Sequence, residues 1–138
     1  MSQSVFIEKE FIDKVLDAKP SPGKHQLEPL KSLAIEKKLP CAILEDSELL
    51  ENEAEIHKTM GDLWYCLEGE VEFTYGGELA DSWVREGSNG CEIAGKSIRG
   101  GAVQRLTTGD WLWIPAGEPH THRTDVTARL MIIKIPQI

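Results

Sequence analysis

From residue 40 onward the chain predicts an all-β sandwich or barrel, with a short helical segment ahead of it. Three observations carry that expectation. No helix-length hydrophobic period appears after residue 40. Short apolar runs recur instead, such as Val71, Phe73 and Tyr75 alternating with Glu70, Glu72 and Thr74. Gly-rich turns separate these runs, and helical spacing is confined to the start of the chain. At 138 residues the length fits one domain. It divides into residues 1–39, a helical and irregular segment that packs on the barrel, and residues 40–138, the barrel itself.

The elements follow in order. Ile7, Phe11 and Val15, with Ile12 and Leu16, have helical spacing, and Lys19-Pro20-Ser21-Pro22-Gly23 ends the run. A helix this short is not stable alone, so its apolar stripe must dock on the domain or on a partner subunit. Leu27, Leu30, Leu33 and Ala34, with Pro29 near the start, predict another brief helical turn. Cys41–Glu45 reads as a strand and Asp46–Glu53 as an acidic loop. Strands are expected at about 54–58, 62–67 and 70–75, with a tight turn at Leu67-Glu68-Gly69-Glu70 and a hairpin end at Tyr75-Gly76-Gly77.

Residues 78–100 are less patterned and read as a functional flap, an interaction arm or a disordered tip. An extra hairpin would place Trp83 and Val84 on one arm and Ile93 on the other. Strands follow at Val103–Leu106 and Trp111–Ile114. In the latter, Leu112 and Ile114 face one side, Trp111 and Trp113 the other, so both faces should be covered. One cover is the barrel interior; the other is the N-terminal segment or a second copy, which predicts a homodimer. Ala128–Ile135 is almost continuously apolar and reads as a buried strand.

Composition narrows the function. Lys plus Arg is 15 against 23 Asp plus Glu, a formal charge of -8, which argues against nucleic acid or an anionic membrane as partner. An anionic substrate would need a local positive centre, and a metal is one way to supply it. Cys41, Cys66 and Cys91 have no finger or redox spacing and the first residues lack a signal-like apolar run, so reduced thiols in a cytoplasmic protein are expected. No apolar stretch approaches membrane-spanning length.

Two stretches concentrate the chemistry, Glu55–Glu70 and Gly109–Thr124. Side chains two apart on a strand share a face, so His120 and His122 point the same way, as do Glu55 and His57. Asp62, Trp64 and Cys66 also share a face. If Asp62 points inward, Trp64 either lines a cavity suited to a flat or aromatic ligand or belongs to the core. Lys58 and Tyr65 have the opposite parity.

Gly109, Pro115, Gly117 and His120 are spaced as in the second signature motif of the cupins, which this region resembles. The first cupin motif, His-x-His, a Glu and a Gly, is matched by Glu55-Ile56-His57, Asp62 and Gly69 in register, with Glu55 at the first histidine and Asp62 at the glutamate. The motif landmarks Gly69 and Gly109 lie 40 positions apart, a longer spacer than in compact cupins. The resemblance implies a double-stranded β-helix, or small jelly-roll barrel. It also implies one divalent transition metal, Fe, Mn, Ni or Zn, held by His57 and His120, with Asp62 and Glu55 as the next ligands. His122 could replace either carboxylate, orient a ligand, or act with Glu55 as the acid-base group.

Two functions fit. One is a metal-dependent enzyme acting on a small organic molecule by oxygenase, isomerase, lyase or cyclase chemistry. The other is a non-catalytic barrel that captures a small ligand as sensor or carrier, favoured by Glu55 where the motif has histidine.

Overall fold

The computed structural model describes residues 3–137. In chain order the elements are α1 (Lys9–Leu16), β1 (Gly23–Gln26), α2 (Leu30–Lys37), β2 (Cys41–Leu49), β3 (Ala54–His57) and β4 (Met60–Tyr75). Then come β5 (Glu78–Ala80), β6 (Trp83–Val84), β7 (Glu92–Gly95), β8 (Ser97–Arg99), β9 (Ala102–Thr107), β10 (Trp111–Ile114) and β11 (His120–Pro136). The two long strands, β4 and β11, pair antiparallel from His120 opposite Tyr75 to Pro136 opposite Met60.

Each long strand takes part in both layers of the barrel. The first half of β4 carries β10, and the second half of β11 carries β2 and then β1. The second half of β4 carries β9, while the start of β11 carries β3, then β7 and β6. The result is the expected two-layered all-β barrel with helices only near the start. Its core is Trp64, Cys66, Val71, Phe73, Leu106, Ile114, Ala128, Leu130 and Ile132. These side chains alternate with outward residues along each strand, as the pleat requires.

The bend between layers explains one difference from expectation. Leu67–Glu70 is not a turn: β4 continues through it, and the β4–β11 register shifts between Arg123 and Ala128 and again between Arg129 and Leu130. Gly69 adopts φ 76°, and a Cβ there would lie 1.9 Å from the Thr127 carbonyl oxygen. A glycine with positive φ serves an irregular, bent strand as well as a hairpin, so the sequence signal is shared.

Two further boundaries differ. The run Asp46–Glu53 is not all loop, because β2 extends to Leu49 and buries Asp46 and Ser47. The segment ahead of residue 40 supplies a strand, β1, at the edge of β2. The 78–100 region forms the hairpin anticipated from its apolar pairs, with Trp83 opposite Ala94 and Val84 opposite Ile93. β5 and β8 form a separate two-stranded ribbon at its base.

The N-terminal helices dock as their stripes require. Val15, Leu27, Leu30 and Ile43 form a second buried cluster, covered by Ile7, Phe11, Ile12, Leu16 and Leu33. A buried ion pair fastens this layer. The Arg129 guanidinium on β11 donates to Glu45 Oε1 at 3.0 Å and to the carbonyls of Leu16 and Ala18 at the end of α1, while Glu45 Oε2 accepts the Ser21 amide at 3.1 Å. Because α1 and α2 pack there, they leave the outer face of β10 open, with Trp111 59% and Trp113 40% exposed. Trp111 stacks on Tyr65, centroids 4.5 Å apart, and Trp113 lies over Gly61, where a Cβ would sit 2.2 Å from the indole. No helix among the described residues is long and apolar enough to cross a membrane.

Removing one member of a buried ion pair strands the other charge, which costs about 3–5 kcal/mol. Arg129→Met is therefore expected to lower unfolding stability by about that amount in urea titrations. The double variant Glu45→Leu/Arg129→Met should lose less than the single one, since neither charge then remains buried alone.

Candidate metal centre

The two layers bring side chains from distant strands to one point. β3 supplies Glu55 and His57, and β11 supplies His120, in register opposite Glu55. From the facing layer, β4 supplies Asp62 and β11 supplies Lys134, again in register with each other. His57 Nε2 lies 3.4 Å from Glu55 Oε1 and 3.5 Å from Asp62 Oδ2. His120 Nε2 lies 3.8 Å from Glu55 Oε1 and 3.2 Å from Asp62 Oδ2. The imidazole centroids are 5.1 Å apart.

The ring nitrogens facing this point are set by the bonds on the opposite side of each ring. His120 Nδ1 lies 3.1 Å from the Glu118 carbonyl oxygen, and His57 Nδ1 lies 3.1 Å from Glu92 Oε1. Both partners only accept, so each Nδ1 carries a hydrogen and each Nε2 turns to the centre. Glu55 is oriented in the same way: Arg85 takes its Oε2 at 3.2 Å, leaving Oε1 for the imidazoles.

Glu55, His57 and His120 could hold a metal ion, because one ligand atom from each lies within 4.8 Å of the others. The surroundings fit such an ion. Among the described residues, His120 Nε2 and Asp62 Oδ2 are buried and make no hydrogen bond, an arrangement that costs free energy unless something occupies their shared side. Asp62 also has a fixed partner: its Oδ1 accepts the Lys134 ammonium at 2.6 Å, and Lys134 Nζ stands 3.2 Å from His57 Nε2.

Electrostatics follow from this crowding. Burial acts to raise the Glu55 carboxyl, but the hydrogen bond and charge of His57, with the charges of His120 and Lys24, hold it at about 2. Burial acts likewise on Asp62, where His120, His57 and Lys134 keep it well below the usual carboxylate range. For His57 burial favours the neutral ring, yet the bonds to Asp62 and Glu55 outweigh it and raise the group to about 9. Carboxylates that favour a proton on Nε2 also favour a metal cation there, so the two compete.

His122 faces inward like His120 but engages a different partner. Its Nδ1 lies 2.5 Å from Asp46 Oδ2, deeper in the barrel. Trp64 is 2% exposed and sits in the core, 5.1 Å from Phe73 and 5.2 Å from His122 by ring centroids. Parity along the strands put Glu55 with His57, Asp62 with Trp64, and His120 with His122 on shared faces, and the structure turns those faces inward. Parity missed four neighbours. Lys134 was hidden in an apolar run, although its phase with Leu130 and Ile132 was a usable sign. Asp46 was read as loop, and Arg85 and Glu92 lie in the hairpin insertion, where no motif marks them.

No family model matches the chain, and no curated protein matches it. Among solved structures, the Drosophila melanogaster CENP-C cupin domain superposes with a TM-score of 0.50 at 17% identity, covering 72% of this chain and 58% of that one. Drosophila melanogaster CENP-C bound to CAL1 gives 0.49 at 15%, covering 70% and 65%. An oxalate decarboxylase, from work on its substrate binding mode and reaction specificity switch, gives 0.49 at 14%, covering 90% of this chain and 30% of that one. This chain spans less than two thirds of the length of each. The first likeness shows the fold: the barrel is a cupin barrel.

The shifts fix a pH dependence for the metal-free protein. Stability from Glu55 is present above its ordinary 4.5 and lost as pH falls toward 2. Stability from His57 is present below its ordinary 6.5 and lost as pH rises toward 9. Calorimetric melting temperatures are expected to be highest between pH 4.5 and 6.5. The decline from pH 6.5 to 9 should flatten in His57→Gln.

Proposed function

We propose that this protein is a metal-dependent cupin enzyme acting on a small organic molecule, with one divalent transition metal, Fe, Mn, Ni or Zn, held by Glu55, His57 and His120. One observation carries the reading: one ligand atom from each of the three residues converges on a point where, among the described residues, the buried His120 Nε2 makes no hydrogen bond. A bound metal would supply Lewis acidity or an oxygen-activating centre, serving oxygenase, isomerase, lyase or cyclase chemistry.

The chain's own groups prepare that chemistry. Glu118 and Glu92 fix the imidazole tautomers, and Arg85 orients Glu55. Asp62, tied to Lys134, keeps a negative charge beside both rings. His122, held on Asp46, and Glu55 would be the groups that keep or pass a proton. Three free cysteines support a cytoplasmic setting.

A second reading, a non-catalytic small-ligand binder, is favoured by Lys134. Its ammonium stands among Asp62 and His57 as a built-in positive charge, and a ligand could use that charge with no metal. Elemental analysis separates the two. Untagged protein loaded with Mn, Fe, Ni or Zn is expected to retain about one metal per chain. His57→Ala and His120→Ala should each weaken the metal by at least about tenfold in calorimetric titrations. Retention below about a tenth of a metal per chain would leave only the binder.

We also propose a homodimer that covers the open Trp111 and Trp113 face. Sedimentation at micromolar concentration is expected to show two chains per particle, and Trp111→Glu to shift it to one. A monomeric parent protein overturns this assignment.

A further inference from the structure

Beside the metal centre lies a cavity of about 480 Å³ between α2 and the end of the barrel. That volume suits a small organic ligand. Its apolar lining includes Ala34, Ile35 and Leu39 from the helix side and Ala42, Met60 and Ile132 from the strands. Ile132 belongs to the barrel core and Ala42 packs against it, so the floor of the cavity is the interior of the barrel itself. Among the described residues, the charged side chains of the lining are Lys31, Lys38 and Lys134, with Asp62 holding Lys134 from the side of the centre. In a chain of formal charge -8, a lining whose charged side chains are all cationic is a local reversal of sign.

Lys134 links this cavity to the centre. It lines the cavity and also reaches Asp62 Oδ1 at 2.6 Å and His57 Nε2 at 3.2 Å. An ammonium has three donors in rotatable geometry. Asp62 takes one, which leaves donors for a group entering from the cavity.

We propose that this cavity is the site for a small organic monocarboxylate, its apolar body under α2 against Ala42 and Ile132 and its carboxylate on Lys134 beside the metal centre. The proposal rests on the functional reading above and names the substrate class of that centre. It is an apolar slot with a cation at its inner end, which selects an acid over the neutral amide or alcohol of the same shape. Lys31 and Lys38 raise the local concentration of such an anion, an effect that salt screens.

The test uses hexanoate and hexanamide as probes, titrated calorimetrically into full-length protein with and without added metal. Hexanoate is expected to bind at least about tenfold more tightly than hexanamide. Lys134→Met should remove that preference while leaving hexanamide binding in place. Ile35→Glu, on a 70% exposed helix position, places a repelling charge at the rim without touching the core. It should weaken hexanoate by at least about threefold with the melting temperature and metal affinity of the parent protein.

Equal affinity for the two probes, no hexanoate binding up to about 10 mM, or hexanoate binding that both variants leave intact would overturn the assignment. Metal titration of the same samples keeps the two readings apart. Metal retained with no acid preference removes this proposal alone, whereas acid preference without metal removes the enzyme reading and keeps the cavity.

Discussion

The structure depends on the pairing of β4 with β11. These strands run side by side through both layers of the barrel, so the place where they bend decides how the layers face each other. Gly69, pressed against the Thr127 carbonyl at a backbone angle few other residues adopt, is the point of the bend on β4. On β11 the register shifts around residues 124–127 do the same. The start of β11 therefore holds His120 in one layer while the start of β4 holds Asp62 in the other, with imidazole nitrogen and carboxylate oxygen 3.2 Å apart. A straight ladder would put these residues at opposite ends of a single sheet.

The interior carries several charged and titratable side chains, and how their polar atoms are engaged tells them apart. Arg129 and Glu45 are closed: their groups engage each other and the N-terminal backbone, and the pair fastens α1 to the barrel. Asp62 and His120 are open, each keeping one buried polar atom without a partner. Desolvation makes an unpartnered group costly, so natural proteins keep few of them. Asp46 is intermediate, with Oδ2 on His122 and Oδ1 unpartnered. Structural pairs are thus separable from groups poised for a ligand by asking which oxygens and nitrogens remain unspent.

Much of this was legible in the sequence because strand parity is rigid. That Glu55 shares a face with His57, and His120 with His122, follows from a period of two and from the Pro115-Ala116-Gly117 turn. What parity could not show was connectivity. Gly69 reads equally well as a turn or a bend, and only long-range pairing with β11 decides. Asp46 looked like part of a solvated acidic run because its partner, His122, is 76 residues away. Lys134 lies inside a run that reads simply as a buried strand, and only the pairing of β11 with β4 brings its ammonium to Asp62. Arg85 and Glu92 sit in a segment with no motif, and their role is visible only once β7 pairs with β3.

The hairpin of β6 and β7 attaches to the rim of the barrel through β3, yet it delivers the guanidinium that steers Glu55 and the carboxylate that steers His57. Control over these two side chains is thus lodged in a hairpin at the rim, apart from the strands that bear them. A substitution at Arg85 or Glu92 can re-aim Glu55 or His57 with both of those residues left in place.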